Sequence, residues 1–140
     1  MRIVMIGAGY VGLVSGACLS QFGHEVICID KDASRVRALE AGVIPIYEPG
    51  LDEIVATSMR AKRLSFGCDM STAVRRADAV FISVGTPARR GDGHADLTYV
   101  FEAASEIATY LDGYTVVVNK STVPVGTGRE VQAGIRAARP

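Results

Sequence analysis

The chain has 140 residues, 49% of them hydrophobic, enough for one domain with a proper buried core. Fifteen basic residues balance fifteen acidic ones and no Lys/Arg block stands out, so the electrostatic footprint of a nucleic-acid or anionic-membrane binder is excluded and small molecules are the expected partners. Three widely spaced cysteines, Cys18, Cys28 and Cys68, no C-x-x-C pair and only two histidines suggest neither a disulfide framework nor a metal site.

Residues 1–30 read as strand, glycine turn, helix, strand and a closing carboxylate. An apolar run, Ile3-Val4-Met5-Ile6, meets Gly7-Ala8-Gly9-Tyr10-Val11-Gly12, and a second run, Val26-Ile27-Cys28-Ile29, ends at Asp30. In this context the glycine spacing is a dinucleotide-binding fingerprint. Gly7 turns the chain sharply out of the strand, Gly9 keeps side-chain bulk away from a pyrophosphate, and Gly12 lets the following helix sit close on the sheet. Free N–H groups at the start of that helix then face the phosphates. Asp30, 18 positions after Gly12, stands where a carboxylate can accept hydrogen bonds from both hydroxyls of an adenosine ribose. It would repel a 2′-phosphate, so NAD is expected in preference to NADP. The stretch 3–23 carries no formal charge and superficially imitates a signal peptide or membrane span, but five glycines break it and its periodicity changes from strand-like to helical. It is read as the buried first βα unit of a cytoplasmic protein.

In the first helix, Val11, Val14, Cys18, Leu19 and Phe22 recur at helical spacing and are expected to bury one face against the sheet, with Gly23 ending the helix. Beyond Asp30, residues 33–41 form a helix with Val36 and Leu39 inward and Arg35 and Arg37 outward. Arg35 is either a cover over the adenine or a solvated helix charge. Ile44-Pro45-Ile46-Tyr47-Glu48-Pro49-Gly50-Leu51 is a rigid link into an amphipathic helix at 51–59, and Glu48 reads as a carboxylate capping that helix. Residues 64–66 make a short strand and 70–76 a short helix. The run Ala79-Val80-Phe81-Ile82-Ser83-Val84 is a buried strand that ends in Gly85-Thr86-Pro87, at the edge of a parallel sheet where ligands are touched. Thr86 is either a contact there or part of a plain turn.

Residues 88–95 look like an exposed loop with His94 solvated, and a helix at 97–111 should bury Val100, Phe101, Ala104, Ile107 and Ala108. Residues 114–119, with three consecutive valines, read as a further buried strand. Lys120-Ser121-Thr122-Val123-Pro124-Val125-Gly126-Thr127 leads into a helix running to Pro140. Five strands interleaved with helices argue for an α/β, Rossmann-type doubly wound and mostly parallel sheet. The usual order is 3-2-1-4-5-6, and the sixth strand is lacking.

Taken together these segments resemble the UDP-glucose 6-dehydrogenase family, within the nucleotide-sugar dehydrogenases that include GDP-mannose dehydrogenase. The resemblance rests on the first glycine motif, on Pro45 to Leu51, on Val84-Gly85-Thr86-Pro87 and on Lys120 to Thr127, and spans the whole chain. Tyr47 and the Lys120 to Gly126 wording look more like the UDP-glucose branch than the GDP-mannose branch. The resemblance implies oxidation of the C6 hydroxyl of UDP-glucose to a carboxylate in two hydride transfers using two NAD. Carried over by position, Tyr10, Val11, Asp30, Arg35, Thr86 and Thr122 would contact NAD, beside Gly7, Gly9, Gly12, Val84, Gly85, Pro87 and Ser121. Thr122 would also help hold a water near the reacting carbon.

Residues 1–140 would be the NAD-binding domain alone. The family's cysteine nucleophile, its UDP-binding domain and the helix that builds its dimer belong to parts beyond Pro140. The fragment is therefore expected to be inactive by itself, with none of its three cysteines the nucleophile, and the parent a homodimer or higher. The rival from another class is a stand-alone nucleotide-sensing module like the regulatory domains of potassium channels and transporters. Such a module has no use for the Thr86 and Thr122 loops. A hydroxyacid dehydrogenase is disfavoured by the Tyr47 to Leu51 link.

Overall fold

A computed structural model describes residues 1–139. Among the described residues six helices and five strands follow one another as β1 (Arg2–Ile6), α1 (Tyr10–Gln21), β2 (Glu25–Ile29), α2 (Ala33–Glu40), α3 (Leu51–Arg60), β3 (Leu64–Gly67), α4 (Met70–Arg75), β4 (Ala79–Ile82), α5 (Thr98–Tyr110), β5 (Val116–Asn119) and α6 (Thr127–Ala138). The last helix ends before Pro140, which lies outside the described residues. All neighbouring strands pair in parallel, in the order β3-β2-β1-β4-β5 expected from the sequence. No helix among the described residues is long and apolar enough to cross a membrane.

Successive strand residues point to opposite faces, so the unbroken apolar run of β1 feeds two cores at once. Ile3 and Met5 pack with Leu13 and Ala17 of α1, Val36 and Leu39 of α2, and Leu51 and Val55 of α3. Val4 and Ile6 pack on the other side with Val74 of α4, Val100 and Ile107 of α5, and Val131 of α6. Both layers converge on β1, which places the carboxyl end of that strand at the middle of the molecule's upper edge.

Four expectations are corrected. The face that α1 turns to the sheet is not Val11, Val14, Cys18, Leu19 and Phe22 but Gly12, Leu13, Gly16, Ala17 and Ser20. The reason is distance. A Cβ on Gly16 would lie 2.9 Å from the Cys28 sulfur and 3.2 Å from Met5 Cγ, so only small residues fit where the helix crosses the strands. Val14 and Leu19 are half-buried at the flanks of that contact, whereas Phe22 is 77% exposed. Cys18 is accordingly half-buried rather than a core residue.

The strand at 114–119 is shorter and less buried than its valines suggest. β5 lies at one end of the sheet and pairs only with β4, leaving Val116 45% exposed. In the fifth helix Phe101 is only half-buried, and Ala103 takes its place in the core. Finally, Glu48 does not cap α3, which begins after Gly50 in the left-handed region with no side-chain cap; the Glu48 carboxylate points elsewhere. Asp32 and Asp69 supply the side-chain caps for α2 and α4. Hydroxyls of Ser71 and Thr72 hold Asp69 low, at about 2, in the ionised form that accepts these bonds.

Candidate functional site

The strand order reverses between β1 and β4, and in such sheets ligands bind in the crevice outside the carboxyl ends at that point. Three segments meet there. The first is the turn from β1 into α1. Gly7 has φ +102°, its N–H donates to the Ile29 carbonyl at 2.8 Å, and a Cβ on it would come 2.5 Å from the Ser83 carbonyl oxygen. A Cβ on Gly12 would stand 1.8 Å from the Gly7 carbonyl oxygen. Gly9 differs from both. Its backbone is extended, and a Cβ on it would meet no protein atom within 4 Å. No neighbouring atom of the protein fills the space a side chain at this position would take, so room is left over the first turn of α1.

Gly9 is also the N-cap of α1 and provides no side-chain cap, so the amides of the first turn remain open donors. Among the described residues that turn carries no acid. Open amides, a positive helix end and room for a bulky group make an anion seat of the kind that takes a pyrophosphate. Tyr10 and Val11 stand exposed at the rim of this seat.

The second segment is the end of β2. Asp30 accepts from the Ala8 N–H at 2.9 Å and from the Asp32 N–H at 2.9 Å, while Arg35 Nη1 lies 3.2 Å from Oδ2. The Ala8 bond ties the carboxylate to the glycine turn, so its orientation is set before any ligand arrives. Its side chain is only 12% exposed. Arg35, read from the sequence as either a cover over the adenine or a solvated helix charge, stands beside Asp30. The guanidinium pairs with Asp30 and lines a cleft of about 620 Å³ that also reaches Gly7, Val84, Gly85 and Pro87.

The third segment is the pair of loops after β4 and β5. The Ser121 hydroxyl donates to the Val84 carbonyl at 2.8 Å, and the Thr86 hydroxyl donates to the Thr122 carbonyl at 3.0 Å. Thr86 and Thr122, distant in sequence, are thereby stitched together beyond the carboxyl ends of β4 and β5, with Thr122 itself exposed.

Three residues escaped the sequence reading, and a fourth, Glu48, was read only as a helix cap. Ser83 is buried, and its hydroxyl donates to the carbonyls of Ile6 at 2.9 Å and Gly7 at 3.2 Å, holding the turn against β4. A lone hydroxyl in an apolar strand was its only signal. Glu48 accepts the Tyr10 phenol proton at 2.6 Å, which raises that phenol above its ordinary value and folds the 43–50 link over the start of α1. Tyr99 and Glu102 of α5 line the same cleft as Asp30 and Arg35. No cluster of three or more metal-ligating side chains occurs among the described residues.

The cysteines stand apart from this crevice. Cys28 is fully buried, and burial, followed by the Asp30 charge, pushes its thiol up to about 12. Cys68 is exposed. A disulfide reagent at pH 8 should therefore label Cys68 quickly, Cys18 slowly and Cys28 only on unfolding. Mass spectrometry of the labelled protein reads this directly, and rapid labelling of Cys28 would contradict its burial. The same shift predicts loss of stability as pH rises above 9, because the thiol ionises near 9 in the unfolded chain but not in the folded one.

Comparison with known proteins agrees with this geometry. Residues 1–139 match the family model described as the NAD binding domain of the UDP-glucose/GDP-mannose dehydrogenase family. The UDP-glucose 6-dehydrogenase of Rhizobium meliloti is 62% identical over 140 residues, which is all of this chain and 32% of that protein. A UDP-glucose 6-dehydrogenase of Bacillus subtilis is 52% identical over 137 residues, covering 98% of this chain and 30% of that one. Among solved structures, a ternary complex of GDP-mannose dehydrogenase from Pseudomonas aeruginosa superposes with a TM-score of 0.93 at 37% identity, covering 99% of this chain and 32% of that chain. The chain thus spans about a third of the length of the relatives it matches.

Proposed function

The chain belongs to the UDP-glucose/GDP-mannose dehydrogenase family as its NAD-binding domain, and from that premise we propose that it seats NAD for the oxidation of UDP-glucose to UDP-glucuronate. The observation that carries the reading is Gly9, where no neighbouring protein atom fills the space a side chain would take, at the open end of α1. When bound, NAD supplies the hydride acceptor; the residues of this chain bind and orient it. The first-turn amides of Tyr10, Val11 and Gly12 receive the pyrophosphate, and Asp30 receives the adenosine ribose with Arg35 beside it. Val84, Gly85, Thr86, Pro87, Ser121 and Thr122 form the floor on which the nicotinamide end rests. Thr122, exposed beside Thr86, is the supporting hydroxyl next to the reacting carbon.

UDP-glucose rather than GDP-mannose is the proposed substrate because the relative at 62% identity is a UDP-glucose enzyme, against 37% for the GDP-mannose structure. The nucleophilic thiol, the UDP-binding domain and the dimer helix are assigned to sequence beyond Pro140, where the rest of the relatives' length lies. The parent works as a homodimer or higher, and the 140-residue chain alone makes no NADH. A nucleotide-sensing module, the other reading, has no use for the Thr86 to Thr122 bond.

Calorimetric titration of the chain with NAD, NADP and UDP-glucose separately is the test. NAD should bind, NADP much more weakly and UDP-glucose not at all. Asp30→Ala should weaken NAD and narrow the gap between the cofactors, because it removes both an acceptor for the ribose and a charge that repels the 2′-phosphate. Equal affinity of the unmodified chain for NAD and NADP would sink the assignment.

A further inference from the structure

Resting on the NAD reading, we infer that Glu102 is a specificity-determining residue whose carboxylate accepts a hydrogen bond from the 6-amino group of adenine, so that the site discriminates adenine from 6-oxopurine dinucleotides. The cleft that begins at Asp30 offers the base a place. The pyrophosphate takes the start of α1 and the ribose takes Asp30, and from Asp30 the cleft continues past Arg35 on one wall to Tyr99 and Glu102 of α5 on the other. Tyr99 and Glu102 are three residues apart on one helix, so they present neighbouring side chains on the same face. The tyrosine offers a flat apolar flank, and the glutamate offers an acceptor.

The charges around Glu102 are already matched elsewhere. Arg35 pairs with Asp30 at 3.2 Å, and Lys31 pairs with Glu106, one turn beyond Glu102, at 3.2 Å. Among the described residues no donor is bonded to the Glu102 carboxylate. An ionised carboxylate is an acceptor only. Adenine carries an amino donor at position 6, whereas hypoxanthine and guanine carry a carbonyl acceptor there. An acceptor-only group that reaches position 6 itself, and not the N1–H donor beside it in the 6-oxopurines, therefore rewards the first and repels the second.

The test compares NAD with nicotinamide hypoxanthine dinucleotide by calorimetry on the 140-residue chain. The unmodified chain should prefer NAD about tenfold, the equivalent of about 1.4 kcal/mol. Glu102→Ala should bring the two within about twofold, mainly by weakening NAD, and Glu102→Lys should reverse the order, since an ammonium donates to the 6-oxo group. Position 102 is exposed on a helix, so both variants are expected to fold, and circular dichroism verifies it. Reversal by lysine is a result that a merely structural role would not give. If NAD itself fails to bind the unmodified chain, the cofactor reading falls. If NAD binds but the analogue binds equally well, or the gap is the same in all three proteins, the inference about Glu102 is overturned while the cofactor reading stands.

Discussion

Gly12→Ala is expected to destabilise the domain by about 3 kcal/mol or more, at the upper end of what overpacking costs. The new methyl would stand 1.8 Å from the Gly7 carbonyl oxygen and 2.7 Å from Ser83 Oγ. The first of these is backbone at the end of β1 and cannot turn aside as a side chain would. Relief requires α1 to lift from the sheet, which breaks the contacts of Leu13 and Ala17 with the first core. Because domains of this size are stable by only about 5–15 kcal/mol, the midpoint of thermal unfolding should fall by roughly 10 °C or more. Differential scanning calorimetry measures this, and a midpoint within about 2 °C of the unmodified protein would mean that the helix has more room than its packing implies.

The second expected result is the opposite dissociation. Gly9→Val should reduce NAD affinity by about 100-fold or more, about 2.7 kcal/mol, while moving the unfolding midpoint by only a few degrees. A Cβ at position 9 meets nothing in the protein, and its φ of −77° is open to any residue. Valine is a poorer N-cap than glycine, which accounts for the small loss of stability. The two branched carbons project into the space where a pyrophosphate must come against the helix amides, so the loss falls on binding. Undiminished affinity in a folded Gly9→Val protein would reduce the turn to a structural device and remove the observation on which the functional proposal stands. Measured together, the two variants separate a glycine that the fold needs from one that the ligand needs, although both belong to the same six-residue motif.

Much of this was legible in the sequence because the signals are local. The order of elements, the parallel sheet and the places of Gly7, Gly9, Gly12 and Asp30 follow from apolar runs bounded by turn residues and from a fixed spacing. Both depend on neighbours a few positions apart. The stitching of the two threonine loops was legible only as two candidate positions, and the bond from Thr86 to the Thr122 carbonyl required β4 and β5 to lie side by side.

By itself, then, the sequence determined the βαβ opening and the strand order, since hydrophobic periodicity and the stereochemistry of glycine act over short stretches of chain. Only the tertiary structure decided which face of α1 is buried, because that helix is apolar nearly all round and the choice was made by close approach at Gly16, where an added Cβ would stand 2.9 Å from the Cys28 sulfur. It likewise decided that the valines of β5 are half-exposed, which depends on a strand's rank in the sheet and not on its composition. The same holds for Glu48 meeting Tyr10 across 38 residues and for Glu102 lining one cleft with Asp30. A side chain's partner in such cases is set by where the sheet brings distant segments together, and no spacing within either segment carries that information.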